Sequence, residues 1–319
     1  MQLDIVVVMD PIGGIKPAKD TTFAMLLEAQ RRGHRLLYVR PGGLALRDGR
    51  AGASIAPLVV RDEPTEWFSL GGFTDIEFGP GQVLLMRTDP PVDADYLHDS
   101  QLLDFAREQG ALVVNDPRGL RDFNEKLAAL RFPDCCPPTV VSRDAATLKA
   151  FVNDHGQAVL KPLDGMGGRS IFRATAGEPN LNVILETLTA GGRHLAMAQR
   201  YLPEIVDGDK RVLLVDGEPV EYALARIPQG DEFRGNLAAG GRGEGRPLTA
   251  RDREIAARVG PEMKARGMLF VGLDIIGDWM TELNVTSPTG VRELDRQFGI
   301  NIAARLFDAI EARMRTDAT

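Results

Sequence analysis

The chain has 319 residues, of which 44% are hydrophobic and 26% charged, enough at roughly 150 residues per domain for about two domains with sizeable cores. With 38 Lys plus Arg against 45 Asp plus Glu, the net charge is −7. That balance excludes nucleic acid and anionic membrane surfaces as first-choice partners, and an anionic ligand needs a local basic pocket.

Leu3–Met9 is an apolar run of strand length, stopped by the turn-forming stretch Asp10-Pro11-Ile12-Gly13-Gly14. No basic segment precedes it and no small-residue cleavage site follows, so it does not read as an export signal. No stretch approaches the roughly 18 apolar residues of a membrane span. Asp20 can cap a helix with Phe23, Leu26 and Leu27 on its apolar face, closing near Gly33. Strands are expected at Leu36–Val39, Val83–Met86 and Leu112–Val114. Between the last two, 95–109 carries Leu102, Leu103 and Ala106 on a helical stripe that stops at Gly110. Such alternation implies a parallel α/β sheet covered on both faces. Gly and Pro are frequent from 41 to 82, where only a short strand near Leu58–Val60 is legible.

A short helical segment holds Asn124, Glu125 and Lys126, and we place a domain boundary near residue 125. Cys135 and Cys136 are the only cysteines; being adjacent, they exclude a disulfide framework and a C-x-x-C motif. They read as structural thiols of a reducing compartment, and cytoplasm is the expected setting. Further on come a helix (145–155), a strand (158–162), a glycine loop (164–168), a helix (183–190) and a strand (196–202). Arg211–Val215 and Val220–Ile227 flank Asp216-Gly217 as a hairpin. Residues 228–245 hold six glycines and no period, which suits a lid, a binding loop or disorder. A helix (250–266), two strands (269–276 and 280–285) and a helix with Ile302, Leu306, Phe307 and Ile310 on one face complete the chain. The four histidines fall in unrelated contexts and read as structural.

No P-loop and no G-x-G-x-x-G between strand and helix is present. Lys161 ends a strand just before Asp164-Gly165-Met166-Gly167-Gly168, where glycines would let backbone N–H groups approach a polyphosphate. A plain turn explains those glycines about as well. Asp274, Glu282 and Asn284 offer three oxygen donors on neighbouring strands, a set suited to magnesium. Asp274 lies in the apolar run Phe270–Ile276, where an unpaired carboxylate is costly. A two-residue turn at Gly277-Asp278 would set Leu273 against Glu282. A three-residue loop including Trp279 would set Asp274 there, and we expect the three-residue loop. Arg211 and Arg226 on adjacent strands, with Arg234 and Arg242 in the glycine-rich loop, suit carboxylates and phosphates. Arg87 follows a parallel strand, where α/β sheets place ligand contacts. Asn284, Ser287, Thr289 and Gly290 supply short polar or small positions near the metal, fit for a carboxylate end.

These segments resemble one family. The carriers include F-A-M-L-L-E-A-Q-R-R-G at 23–33, L-R-D-F-N-E-K-L at 120–127, L-K-P-L-D-G-M-G-G at 160–168 and D-G-D-K-R-V-L at 207–213. R-G-N-L-A-A-G-G-R-G at 234–243, V-G-L-D-I-I-G at 271–277 and E-L-N-V-T-S-P-T at 282–289 continue them. Together they resemble the bacterial glutathione synthetases of the ATP-grasp superfamily, nearly end to end. The resemblance implies an N-terminal parallel-sheet α/β domain (1–125). A two-lobed α+β ATP-grasp domain would follow (126–202 and 203–319, with a lid at 228–245). It implies ligation of γ-glutamylcysteine and glycine with ATP, through an acyl phosphate, to glutathione, ADP and phosphate.

By position, the resemblance assigns Lys126, Lys161, Gly165, Gly167 and Gly168 to the nucleotide phosphates. Gln199, Tyr201 and Leu202 would form the adenine hinge, with Asp209 nearby. Asp274, Glu282 and Asn284 would hold two Mg2+ ions, for which Mn2+ can substitute. Arg87, Arg211, Arg226, Ser287 and Thr289 would grip the dipeptide or its acyl phosphate, and Arg234 would reach in from the lid. A homotetramer is implied in the same way. The chain departs from many relatives at Gly290, where a larger residue is expected. Other readings are a different ATP-grasp carboxylate–amine ligase, adding D-alanine or glutamate, and an ATP-binding regulator without chemistry.

Overall fold

The computed structural model describes residues 2–165, 167–230, 234–235 and 240–316. Three sheets organise it. The first contains β1 (Asp4–Val8), β2 (Arg35–Arg47), β3 (Arg50–Val60), β4 (Phe68–Leu70), β5 (Thr74–Glu77), β6 (Gln82–Met86) and β7 (Leu112–Val114). Strands β2, β1, β6 and β7 are parallel neighbours, and α1 (Thr21–Arg31) and α2 (Ala94–Glu108) connect them. Both helices start where a carboxylate satisfies an otherwise orphaned N–H: Asp20 accepts from Phe23 N and Asp93 from Tyr96 N.

The parallel core is as expected, but the sheet is mixed. The segment 41–82 extends it with antiparallel strands. Strand β2 runs on through Pro41-Gly42-Gly43, absorbing them in a register shift between Val39 and Leu44. It turns back at Asp48-Gly49, both with positive φ (51° and 78°), the hairpin geometry favoured for that dipeptide. Gly52 is required for packing there: a Cβ on it would lie 2.1 Å from the carbonyl oxygen of Ile76 in β5.

After α3 (Pro117–Asp122) and α4 (Glu125–Ala129), the second sheet holds β8 (Thr139–Ser142), β9 (Gln157–Pro162), β10 (Phe172–Thr175) and β11 (Ala196–Arg200). It is antiparallel, in the order β10-β9-β11-β8, and is backed by α5 (Ala145–His155) and α6 (Leu181–Thr189). Leu148, Val152, Leu160, Leu181 and Leu185 make this lobe's own small core. The third sheet, β14-β13-β12-β15-β16, comprises β12 (Asp209–Val215), β13 (Glu218–Ile227), β14 (Arg242–Pro247), β15 (Phe270–Ile276) and β16 (Trp279–Asn284). Helices α7 (Ala250–Ala265), α8 (Val291–Phe298) and α9 (Ile302–Thr316) accompany it.

The first and third sheets are fused rather than merely adjacent. Leu213, Val215 and Phe270 share one core with Ile5, Val7, Leu26 and Leu85. Asn115, just past β7, donates to the carbonyls of Phe270 (2.8 Å) and Val285 (2.7 Å) and accepts from Phe270 N (2.9 Å). Helix α9 lies against α1, burying Leu306, Phe307 and Ile310, each worth about 2–3 kcal/mol. Arg32 ties the pair together through Glu28, Ala304 O, Asp308 and Glu311. The second-sheet lobe, with its separate core, stands over this fused body and leaves a cleft between.

Candidate active site

One face of the third sheet carries a row of charge. Arg226 on β13 pairs in register with Asp209 on β12. One step along, Arg211 on β12 pairs with Asp274 on β15, which pairs with Glu282 on β16. Asn284, paired with Gly272, lies two residues beyond Glu282 on the same side.

The convergence of Asp274 and Glu282 arises differently from the expected three-residue loop. The turn is the two-residue Gly277-Asp278, with Ile276 paired to Trp279 and Ile275 to Met280. Gly277 takes the positive φ (57°) that the turn requires. A bulge then places Thr281 and Glu282 against the single step from Ile275 to Asp274. Thr281 and Glu282 consequently both line the cleft, and Thr281 Oγ1 donates to the carbonyl of Asp274 at 3.3 Å.

Asp274 is held by two guanidinium groups. Arg211 Nε and Nη2 reach its two oxygens at 2.6 and 3.2 Å, and Arg226 Nη2 reaches Oδ2 at 2.8 Å. Arg226 Nη2 also lies 2.5 Å from Asp209 Oδ2. Burial opposes ionisation of Asp274, but the two arginines outweigh it and hold the carboxyl well below the usual range. For Asp209, burial wins over Arg226, and the neighbouring Asp274 adds repulsion, so its carboxyl is pushed up to about 7. Its Oδ1 is buried with no hydrogen-bond partner among the described residues.

The opposite wall comes from the second-sheet lobe and α4. Lys161, the penultimate residue of β9, has Nζ 3.4 Å from Glu282 Oε1 and 3.5 Å from Gln199 Oε1. Lys126, at the start of α4, lies 3.8 Å from the same Glu282 oxygen and donates to Gly165 O at 2.6 Å. Burial favours a protonated Glu282, but Lys126 and Lys161 overcome that and lower its pKa. The cleft has about 820 Å³ of empty volume, part of it open to solvent. It brings together Lys126, Lys161, Gly165, Gly167, Gly168, Gln199, Tyr201, Leu202, Asp209, Arg234, Asp274 and Glu282, all singled out from the sequence.

Other expected residues are placed differently. Arg211 and Arg226 stand behind Asp274, outside the lining of the cleft. Arg87 is buried and spent on structure: it donates to Thr22 Oγ1 (3.0 Å) and the carbonyls of Thr286 (3.5 Å) and Pro288 (3.1 Å). Asn284, Ser287 and Thr289 lie beyond the cleft lining, with the Thr289 carbonyl 3.4 Å from Arg211 Nη1. Arg242 pairs with Glu244 on the edge strand β14. Gly290 has a φ of 115°, a conformation that suits glycine and disfavours the larger residue expected there. Arg234 donates to Gly168 O at 2.8 Å, joining the expected lid to the glycine loop. Within those two loops, Met166, 231–233 and 236–239 lie outside the described residues. Sequence reasoning missed the cleft's apolar walls, Val159, Ile171 and Ile205, which no local pattern separates from core positions.

The residues present fit a hard divalent cation. Asp274, Glu282 and Asn284 all offer oxygen, and the Asn284 amide turns Nδ2 to Gly272 O at 3.3 Å, with no hydrogen bond to its Oδ1 among the described residues. Glu282 Oε2 accepts no hydrogen bond among the described residues.

Comparison with known proteins agrees with this geometry. The prokaryotic glutathione synthetase N-terminal domain matches residues 3–121, and the ATP-grasp domain of the same family matches 125–299. Glutathione synthetase of Xanthomonas campestris pv. campestris is 76% identical over 312 residues, 98% of this chain and 99% of that one. The Xylella fastidiosa (strain Temecula1) enzyme is 67% identical over 98% of this chain and 99% of its own. That of Escherichia coli K12 is 56% identical, over 97% of this chain and 98% of its own. Among solved structures, D-cycloserine synthetase DcsG is similar in fold (TM-score 0.67, 15% identity, 97% and 99% of the two chains). So is the ATP-grasp ligase PsnB (TM-score 0.63, 19% identity, 98% of both). Two lobes facing a cleft of lysines, glycine backbone and paired carboxylates define an ATP-grasp ligase. Within that class, the chain belongs to the prokaryotic glutathione synthetase family. It is an ATP-dependent ligase of glutathione synthesis, and catalysis of this kind needs a divalent metal.

Proposed function

We propose that the chain joins γ-glutamylcysteine to glycine with ATP, through an acyl phosphate on the cysteinyl carboxylate, giving glutathione, ADP and phosphate. The observation that carries this reading is the convergence of Lys126, Lys161, Asp274 and Glu282 on one cleft, with Arg211 and Arg226 immediately behind the carboxylates. Lys126 and Lys161 would bind the nucleotide phosphates, beside the backbone of Gly165, Gly167 and Gly168. Gln199, Tyr201 and Leu202 would hold the adenine, with Asp209 nearby.

Asp274, Glu282 and Asn284 would hold two Mg2+ ions, or Mn2+, which when bound would neutralise the triphosphate charge. Arg211 and Arg226 would orient the dipeptide carboxylate and stabilise the charge that develops as phosphate is transferred; preorganised donors of this kind contribute roughly 3–4 kcal/mol each. Ser287 and Thr289 would bind the substrate's polar end. Arg87 would serve substrate binding by holding the Thr286–Pro288 backbone. Arg234 and the loop 228–245 would cover the acyl phosphate against water, so that the glycine amine rather than water displaces the phosphate. A homotetramer in the cytoplasm completes the proposal; among the described residues no helix is long and apolar enough to cross a membrane.

A coupled ADP-release assay that omits one component at a time tests it. ADP should form only with ATP, divalent metal and γ-glutamylcysteine, and glutathione only when glycine is added. Consumption of ATP with other amino acids but not with this pair would overturn the substrate assignment.

A further inference from the structure

Three consecutive residues at the start of α4 reach in different directions. Asn124 accepts from the N–H groups of Lys126 and Leu127 and donates through Nδ2 to Leu163 O at 3.0 Å. Lys126 extends to Gly165 O and Glu282. Glu125 reaches past the last residue of β16. Its Oε1 accepts from Val285 N (3.0 Å), Thr286 N (3.1 Å) and the Thr286 hydroxyl (2.8 Å).

Among the described residues, strand β16 is the edge of its sheet, with β15 on one side and no strand on the other. Its outer N–H groups therefore need a partner from elsewhere, or the strand end is left to water and frays. Glu125 supplies that partner just beyond Asn284, while Asn115 binds the carbonyl of Val285 at 2.7 Å. Val285 is thus held through both its N–H and its C=O. No basic side chain pairs with Glu125 among the described residues, so its work is directed at this backbone.

We propose that Glu125 is a positioning residue that fixes the end of β16, and with it Glu282 and Asn284, relative to Lys126. This rests on reading Glu282 and Asn284 as metal ligands. One helical turn would then set both the cationic and the anionic wall of the phosphate cleft, and partners that orient ligands in this way are commonly worth 10–100-fold in metal affinity.

The test is Mn2+ titrated into the full-length, nucleotide-free protein, followed by loss of the free-ion EPR signal, with thermal unfolding recorded separately. Glu125→Ala should weaken Mn2+ binding about tenfold or more. Glu125→Gln keeps an acceptor oxygen in place and should recover most of the affinity. The Mg2+ concentration for half-maximal turnover should follow the same order, with ATP binding in chelator close to that of the parent. Should Glu125→Ala fail to fold, Thr286→Val removes one of the three hydrogen bonds and should give a smaller loss in the same direction. Unchanged Mn2+ affinity in the folded Glu125→Ala protein, or in Thr286→Val in its place, overturns the proposal. Glu282→Gln in the same titration separates the two levels: Mn2+ binding unaffected by that change would remove the ligand reading itself.

Discussion

Asp274 faces Glu282 because Thr281 is an extra residue in β16. With the two-residue turn at Gly277-Asp278 and no bulge, Thr281 would oppose Asp274 and Glu282 would point to the other face of the sheet. Deleting Thr281 closes the bulge and moves Glu282 into the position after Met280, still opposite Asp274. The deletion variant is therefore expected to retain reduced, metal-dependent ADP release, well above that of Glu282→Gln. Equal loss in the two folded variants would show that the bulge does more than set register.

Glu282 also separates two ammonium groups, lying 3.4 Å from Lys161 Nζ and 3.8 Å from Lys126 Nζ. Replacing it by Gln removes a competitor for those lysines. Nucleotide binding measured in chelator, by calorimetry, should tighten, while turnover at saturating metal falls by about 10²-fold or more. Weaker nucleotide binding in the variant would contradict the phosphate role of the two lysines.

Arg226 stands between two carboxylates, the buried Asp274 and the largely buried Asp209. Arg226→Leu leaves both beside Arg211 alone, and removing one partner of a buried pair costs about 3–5 kcal/mol. Asp209, already pushed up to about 7, would take up a proton to relieve the repulsion. The deficit, measured by urea unfolding, should therefore be smaller at pH 5 than at pH 8. A deficit independent of pH would place the cost in packing instead.

Glu28 anchors α1 through Arg31, Arg32 and Asn301, and these bonds hold its carboxyl at about 2. A pKa depressed in the folded state stabilises above the unfolded value, here 4.5, and that contribution disappears as pH falls to about 2. Glu28→Gln should lower stability at neutral pH by about 2 kcal/mol, hydrogen bonds to charged groups being of that size. The difference from the parent should vanish on acidification across that interval. A gap that persists at the acid end would mean that charge is not what Glu28 contributes.

Much of the architecture was legible because its signals are local. Apolar runs of strand length, carboxylate caps such as Asp20 and the Asp216-Gly217 turn each act over a few residues, and the corresponding elements form where they are expected. The oxygen donors Asp274, Glu282 and Asn284 stood out for the same reason: a carboxylate amid Val, Leu and Ile demands a partner wherever the strand goes. The segment 41–82 was illegible because Pro41-Gly42-Gly43 looks like a break, and only pairing with β3 turns it into a bulged strand.

The amino-acid sequence by itself determined which elements form, which residues carry charge and which family they belong to, since periodicity, capping and motif spacing are properties of the chain. Tertiary structure alone decided the bulge at Thr281, the use of Arg87 to hold the Thr286–Pro288 backbone, the anchoring of an edge strand by Glu125 and the seating of α9 on α1. Each of these depends on which backbone groups are left without a partner once the sheets have assembled, and that is settled between segments far apart in the chain.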